Sequence, residues 1–113
     1  FIEDTDADAG QPLDTTPHSN AAEQALLGAM PERVADQTAQ SLANIEAILA
    51  AEGLNMGHIV KCMVFITDMD QFGEMNAVYA GAFETNPPAR SAYQVVRLPK
   101  DAKVEIEAIA VAD

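Results

Sequence analysis

The chain has 113 residues, which is enough for one domain and too few for two of ordinary size. Hydrophobic residues make up 49% of it, so its composition excludes a disordered chain, and no apolar run reaches the roughly 20 residues that span a bilayer. Eighteen acidic residues against six basic ones give a net charge of −12, which argues against nucleic acid and membranes as partners. Cys62 is the single cysteine, so a reducing, cytoplasmic location is the simplest interpretation.

The first 20 residues are acidic and rich in residues that form turns. Because the aspartates lie close together with no basic residue nearby, we expect a mobile segment or an irregular edge here. Phe1 is not an initiator methionine, so we expect a trimmed chain, and no signal peptide is visible. Alternating aspartates before Gly10 are similar to a calcium-binding loop. The glycine comes one position too late, however, and we interpret the segment as a solvated acidic stretch.

A first helix is predicted to start near Pro31, which suits a first helical turn, and to run for about 18 residues. Gly53 follows as the natural residue for ending it. Residues suited to burial recur at three- and four-residue steps and form one stripe: Val34, Thr38, Leu42, Ile45 and Leu49.

A continuous apolar run with one lysine, residues 59–66, predicts a strand that is buried on both faces. Asp68 follows it and is expected to cap a second, shorter helix. Pro87 and Pro88 end that helix. Its apolar side carries Phe72, Met75, Val78, Tyr79 and Phe83.

Residues 89–98 and 104–112 are predicted to be the last two strands, joined by a Leu-Pro-Lys-Asp-Ala turn. Arg90 opens the first of these strands, and Glu105 lies in the second. We therefore expect a fixed cation and a fixed acid/base close together on one sheet, as a small carboxylate-bearing substrate would need.

The order of the predicted elements is strand or loop, helix, strand, helix, strand, strand. Two helices on one face of a mixed sheet form an α+β two-layer sandwich. The other sheet face would be bare in a monomer, and a second copy of the chain is the simplest partner for its apolar residues.

Several separated segments carry a family resemblance: residues 36–45, 59–61, 68–72, 75–79, 88–91 and 98–110. Over roughly residues 33–112, in order and at matching spacing, they resemble the RidA/YjgF family of enamine/imine deaminases. The resemblance implies a single domain over residues 1–113 with a chorismate-mutase-like fold, and a homotrimer with clefts between subunits. It also implies hydrolysis of 2-imino acids and 2-aminoacrylate-type enamines to 2-oxo acids and ammonia, with no metal or organic cofactor.

The resemblance assigns roles to four residues. Arg90 would hold the substrate carboxylate, and Glu105 would be the acid/base that positions the attacking water or protonates the departing nitrogen. Asn76 and Gly10 would contact the substrate in the pocket. The residues alone leave plainer interpretations open, which are a surface ion pair, a solvated glutamate, a helix-surface amide and a turn glycine.

The N-terminal third and one position near Arg90 depart from the family pattern. The family's first strand carries a Gly-Pro-Tyr-Ser-Gln type motif with a pocket tyrosine, which residues 1–8 do not match. Its Ser-Gly-Gln motif stands here as Ala9-Gly10-Gln11, and Ala92 stands where many members place a cysteine. These departures favour an alternative function, a non-catalytic trimer that binds small 2-oxo acids. A ribonuclease or translation-inhibitor activity, attached to some relatives, is opposed by the net charge.

Overall fold

The computed structural model describes residues 2–3, 12–13 and 30–112 of the chain. Apart from two short strands, the acidic segment of residues 1–20 therefore lies outside the described residues. The helices and strands are β1 (Ile2–Glu3), β2 (Pro12–Leu13), α1 (Val34–Ala51), β3 (Ile59–Ile66), α2 (Phe72–Ala82), β4 (Ala89–Gln94) and β5 (Val104–Ala110). None of the helices among the described residues has the length and apolar character needed to cross a bilayer.

Helix α1 begins later than predicted, because Pro31 lies before the helix and not in its first turn. The cap residue, Arg33, makes no side-chain hydrogen bond to the first turn of the helix. Instead, the buried side chain of Gln37 reaches back from the first turn and donates to the Pro31 carbonyl oxygen at 2.8 Å. Its amide oxygen accepts a 2.7 Å hydrogen bond from the backbone N–H of Lys103. This glutamine therefore ties the start of α1 to the start of β5.

The predicted end of α1 at Gly53 is confirmed. Gly53 has a φ of +73°, a left-handed conformation that a glycine adopts without steric cost. Its N–H donates to the Ala50 carbonyl oxygen at 3.0 Å, and the Leu54 N–H donates to the Leu49 carbonyl oxygen at 2.8 Å. These two bonds form a Schellman motif, which satisfies the last carbonyl groups of the helix.

Strand β3 lies in the middle of a three-stranded sheet with the order β4-β3-β5. Strand β4 runs parallel to β3, and β5 runs antiparallel to it. The two last strands of the chain are therefore separated by β3 and do not pair with each other. Strands β1 and β2 pair antiparallel, and β1 lies next to β5.

Strand β4 ends at Gln94, four residues before the predicted end. The last bond from this strand to its partner is donated by the Val95 N–H to the Ile66 carbonyl oxygen at 2.9 Å. Because β3 itself ends at Ile66, the following residues have no strand to pair with, and Val96 is fully exposed. The chain then turns at Pro99–Asp101 and enters β5, which ends at Ala110 and not at residue 112.

The two faces of β3 are buried to different degrees, so the prediction of a strand buried on both faces is wrong for this chain on its own. Cys62, Val64 and Ile66 point towards the helices and are at most 1% exposed. The intervening side chains of Met63 and Phe65 are only half-buried. The reason is that both helices lie on one side of the sheet.

One continuous core fills the space between the helices and the sheet. It includes Leu42, Ile45 and Leu49 of α1, Met75 and Tyr79 of α2, and the inward residues of β3 and β5. This arrangement confirms the predicted α+β two-layer sandwich.

The Asp68 side chain accepts a 2.9 Å hydrogen bond from the Asp70 N–H and so caps the turn that leads into α2, as predicted.

Candidate active site

Arg90 lies at the start of the edge strand β4, and its side chain extends over helix α2. The guanidinium carbon is 4.8 Å from the ring centroid of Tyr79 and 5.3 Å from that of Phe72. Its Nη1 atom donates a hydrogen bond to the amide oxygen of Asn76. Both rings are within the distance at which an aromatic face attracts a cation. Arg90 is therefore held by neutral groups, while the residue as a whole remains exposed.

The other two arginines of the chain have different surroundings. Arg33 forms an ion pair with Glu74, with 3.2 Å between Nη2 and Oε1. Arg97 forms one with Asp101, with 2.9 Å between Nε and Oδ1. Among the described residues, Arg90 is the arginine that has no carboxylate partner. Within residues 30–112, this argues against the surface ion pair that the sequence left open for it.

Beneath Arg90, the hydroxyl group of Tyr79 lies in the core beside the thiol of Cys62. Burial raises the pKa of the Cys62 thiol, and the Tyr79 hydroxyl and the positive charge of Arg90 act in the opposite direction. Burial, followed by the neighbouring Cys62, raises the pKa of Tyr79 above its ordinary value. Within the described part of the chain, the Tyr79 hydroxyl makes no hydrogen bond of good geometry. Both groups are therefore neutral, and Arg90 is the one charged group of this cluster.

Glu105 lies on the half-buried side of β5, as predicted from the alternation of this strand. Its neighbour across the sheet is Phe65 of β3, which in turn pairs with Tyr93 of β4. The two aromatic rings are stacked, with 6.3 Å between their centroids. Tyr93 is 54% exposed. Glu105 therefore lies beside an aromatic surface that is partly exposed in a single copy of the chain.

Arg90 and Glu105 do not lie close together in one chain, so this expectation is wrong. Arg90 is in register with Cys62, whereas Glu105 is in register with Phe65, three positions further along β3. Three residues along a strand span about 10 Å, and two strand spacings span about 10 Å more. Because neighbouring strand residues point to opposite faces, the two side chains also lie on opposite sides of the sheet.

The remaining predicted site residues have mixed outcomes. The amide oxygen of Asn76 accepts from Arg90, so its Nδ2 group is the part of the side chain available to a ligand. Gly10 lies outside the described residues. Ala92 is half-buried on the same face of β4 as Arg90 and packs against the core.

Phe72 and Tyr79 belong to the surroundings of Arg90, although the sequence indicated only a core role for them. Together with Asn76 they are spaced at i, i+4 and i+7, so they form one stripe on α2. This spacing is visible in the sequence. The cation that lies against the stripe comes from another strand, however, and its position depends on the packing of α2 onto β4.

Fold and site together define a small α+β protein with an exposed arginine on one sheet face and a glutamate on the other. A family model described as Endoribonuclease L-PSP matches residues 19–112. The chain therefore belongs to this family, and its relatives confirm the predicted RidA/YjgF assignment.

The relatives with known names are similar in both sequence and structure. The 2-iminobutanoate/2-iminopropanoate deaminase of Escherichia coli K12 is 53% identical over 87 residues, which cover 74% of this chain and 68% of that protein. The crystal structure of the YjgF gene product from E. coli has a TM-score of 0.71 at 50% identity, and the match covers 74% of this chain and 68% of the other. That of E. coli TdcF with bound serine has a TM-score of 0.69 at 49% identity, with the same coverage. The chain thus spans about two thirds of the length of these relatives.

Proposed function

We propose that this protein hydrolyses reactive 2-imino acids and their 2-aminoacrylate-type enamines to 2-oxo acids and ammonia. The observation that carries the proposal is Arg90, an exposed guanidinium that neutral groups hold and that no described carboxylate neutralises. A planar guanidinium binds a carboxylate through two parallel hydrogen bonds, which fixes the orientation of the substrate. The deaminase names of relatives above 50% identity support the same class of reaction.

The chemistry requires the addition of water to a C=N bond next to the held carboxylate. Glu105 takes a proton from the water as its oxygen bonds to the imine carbon, and it delivers a proton to the nitrogen. In the resulting carbinolamine, Glu105 takes the hydroxyl proton and passes a proton to the amino group, the C–N bond breaks to release ammonia, and the oxygen becomes the carbonyl oxygen of the 2-oxo acid. Arg90 keeps the carbon in place through both steps, so that positioning contributes along with proton transfer.

The two groups can act on one substrate only if they come from different copies of the chain. Arg90 and Glu105 lie on opposite faces of the sheet in a single copy. On the face that carries Glu105, Tyr93 is exposed and Met63 and Phe65 are only half-buried, an apolar surface suited to contact with another copy. We therefore propose a homotrimer with a site in each cleft between subunits, in which Asn76 and Gly10 contact the substrate. The cytoplasm is the proposed location.

A coupled assay tests the proposed reaction. A threonine dehydratase or an amino acid oxidase generates the imine, and the release of the 2-oxo acid is followed with and without this protein. We expect acceleration by the wild type and a loss of at least about 100-fold in kcat/KM for Arg90→Ala, since two charge-assisted bonds disappear. Arg97→Ala is the matched control, because it removes an exposed arginine that pairs within its own loop. Equal rates for Arg90→Ala and the wild type would contradict the proposed function.

The alternative is a protein that binds 2-oxo acids in the same clefts without turnover. Ala92, in the place where many family members have a cysteine, favours it. Saturable binding of 2-oxobutanoate by calorimetry, combined with no acceleration in the coupled assay, would establish this alternative.

RNA binding at low salt is the corresponding test for the activity in the family's name, and we expect none from a chain of net charge −12.

A further inference from the structure

Three side chains on one stripe of α2 surround the guanidinium of Arg90. Phe72 and Tyr79 present their rings at 5.3 and 4.8 Å, and Asn76, between them on the helix, accepts from Nη1. Tyr79 as a whole residue is 5% exposed, so water is largely excluded from that side of the cation. A cation over a dry ring is held more strongly than one over a ring in water.

The support is neutral, which matters for an anionic ligand. A carboxylate beneath Arg90 would hold the side chain equally well, but it would cancel the charge that the substrate has to meet. Aromatic rings and an amide oxygen restrict the side chain without neutralising it. They also remove rotamer freedom before the ligand arrives, so less entropy is lost on binding.

The geometry also distinguishes the two edges of the guanidinium. Nη1 is engaged by Asn76, whereas Nε and Nη2 have no partner among the described residues. The edge formed by Nε and Nη2 carries two parallel N–H groups, which match the two oxygens of a carboxylate.

We propose that Phe72, Asn76 and Tyr79 are positioning residues that hold Arg90 with its Nε and Nη2 edge directed to the substrate carboxylate. This inference rests on the proposed function, since it assumes that Arg90 binds the substrate. It assigns to the two aromatic residues of α2 a role in binding besides their place in the core. It also gives Asn76 a defined task, the orientation of the arginine.

Nuclear magnetic resonance of the Arg90 side chain tests the docking edge directly. The Nε–H signal of the full chain is assigned with Arg90→Lys and followed while 2-oxobutanoate is added. Docking through Nε and Nη2 is expected to move this signal strongly downfield. Saturable binding that leaves the Nε–H signal in place would show that the ligand uses another edge, and would overturn the proposal.

Ring variants test the positioning role. Tyr79→Leu and Phe72→Leu each remove an aromatic face and keep an apolar side chain, and we expect about a fivefold weaker Kd for 2-oxobutanoate in each. The same factor should appear in KM, with kcat within about twofold, because the lost contact is present before and during the reaction. Tyr79→Phe keeps the ring and should restore the affinity. Phe72 is half-buried, so its variant keeps the test valid where Tyr79→Leu fails to fold.

Phe83→Leu is the matched control, since Phe83 is a buried aromatic residue of the same region that packs on Tyr79 and not on Arg90. It should lower stability and leave Kd unchanged. If both leucine variants bind like the wild type while Arg90→Ala does not bind, the positioning role is wrong and the proposed function stands. If Arg90→Ala binds 2-oxobutanoate as well as the wild type, the proposed function fails and this inference fails with it.

Discussion

The two faces of the three-stranded sheet are built from the same strands but have different surroundings. On the helix face, Val64 and Ile66 are fully buried in a single core. On the opposite face, Met63 and Phe65 are half-buried, and Tyr93 is 54% exposed. The core on the helix face stabilises a single copy of the chain. The opposite face has partly exposed apolar side chains that another copy could bury. The same division separates Arg90 from Glu105, so each face contributes one half of the proposed site.

The largest expected effect is that of Glu105→Gln on the open face. Removal of the acid/base should lower kcat by about 10²- to 10⁴-fold, while the Kd for 2-oxobutanoate changes little, since Arg90 is intact. The coupled assay and calorimetry measure the two quantities. Glu107→Gln, two residues along the same face, is the control and should keep most of the activity. A Glu105→Gln variant with wild-type kcat would show that Glu105 on this face is not the acid/base of the reaction.

Truncating a buried side chain should lower the free energy of unfolding of a single copy more on the helix face than on the opposite face. Ile66→Ala removes a fully buried side chain from the helix face and should lower the free energy of unfolding by about 2–5 kcal/mol. Met63→Ala, on the open face of the same strand, should cost less in dilute protein and more as the protein concentration rises. Urea unfolding at two protein concentrations measures both. A Met63→Ala cost that does not depend on concentration would argue against assembly through this face.

Mixing two inactive variants tests whether the faces of different copies meet. In a 1:1 mixture of Arg90→Ala and Glu105→Gln, half of the copies carry an intact Arg90 and the other half an intact Glu105. Random assembly then gives both groups to about a quarter of the sites, so about a quarter of the wild-type activity should return. The unmixed variants provide the baseline. A mixture no more active than this baseline would contradict a site that is shared between copies.

The smallest expected effect is the pH dependence of stability on the helix face. Folding raises the pKa of Cys62 above 9.0 and that of Tyr79 above 10.0, so the unfolded chain loses these protons first. Their contribution is fully present below pH 9 and is lost as the pH rises, by at most about 1.4 kcal/mol per pH unit for each group. In urea unfolding at pH 8 and pH 10.5, Tyr79→Phe should fall less steeply than the wild type. If the free energy of unfolding falls equally for both proteins between pH 8 and pH 10.5, Tyr79 does not contribute to the pH dependence of stability.

Local signals predicted α1, β3 and α2 well. The stripe from Val34 to Leu49 and the glycine at position 53 specify α1 through neighbours in sequence, and the structure places the helix there. The end of β4 was predicted four residues too late, because it depends on where β3 stops and not on the β-propensity of residues 95–98. Family resemblance led to the prediction of Arg90 and Glu105 as site residues, and their roles stay a prediction. Their expected closeness within one chain was wrong.

By itself, the sequence determined the helices and the alternation of β5, since periodicity and helix-ending residues are properties of nearby residues. Family resemblance led to the prediction of Arg90 and Glu105 as site residues. Only the tertiary structure decided that β3 inserts between β4 and β5, which places the two groups on opposite faces. It also decided that Arg90 lies against Phe72 and Tyr79 and not against a carboxylate of residues 30–112. Both outcomes depend on pairing and packing between segments that are far apart in the sequence. Patterns among neighbouring residues do not specify such contacts.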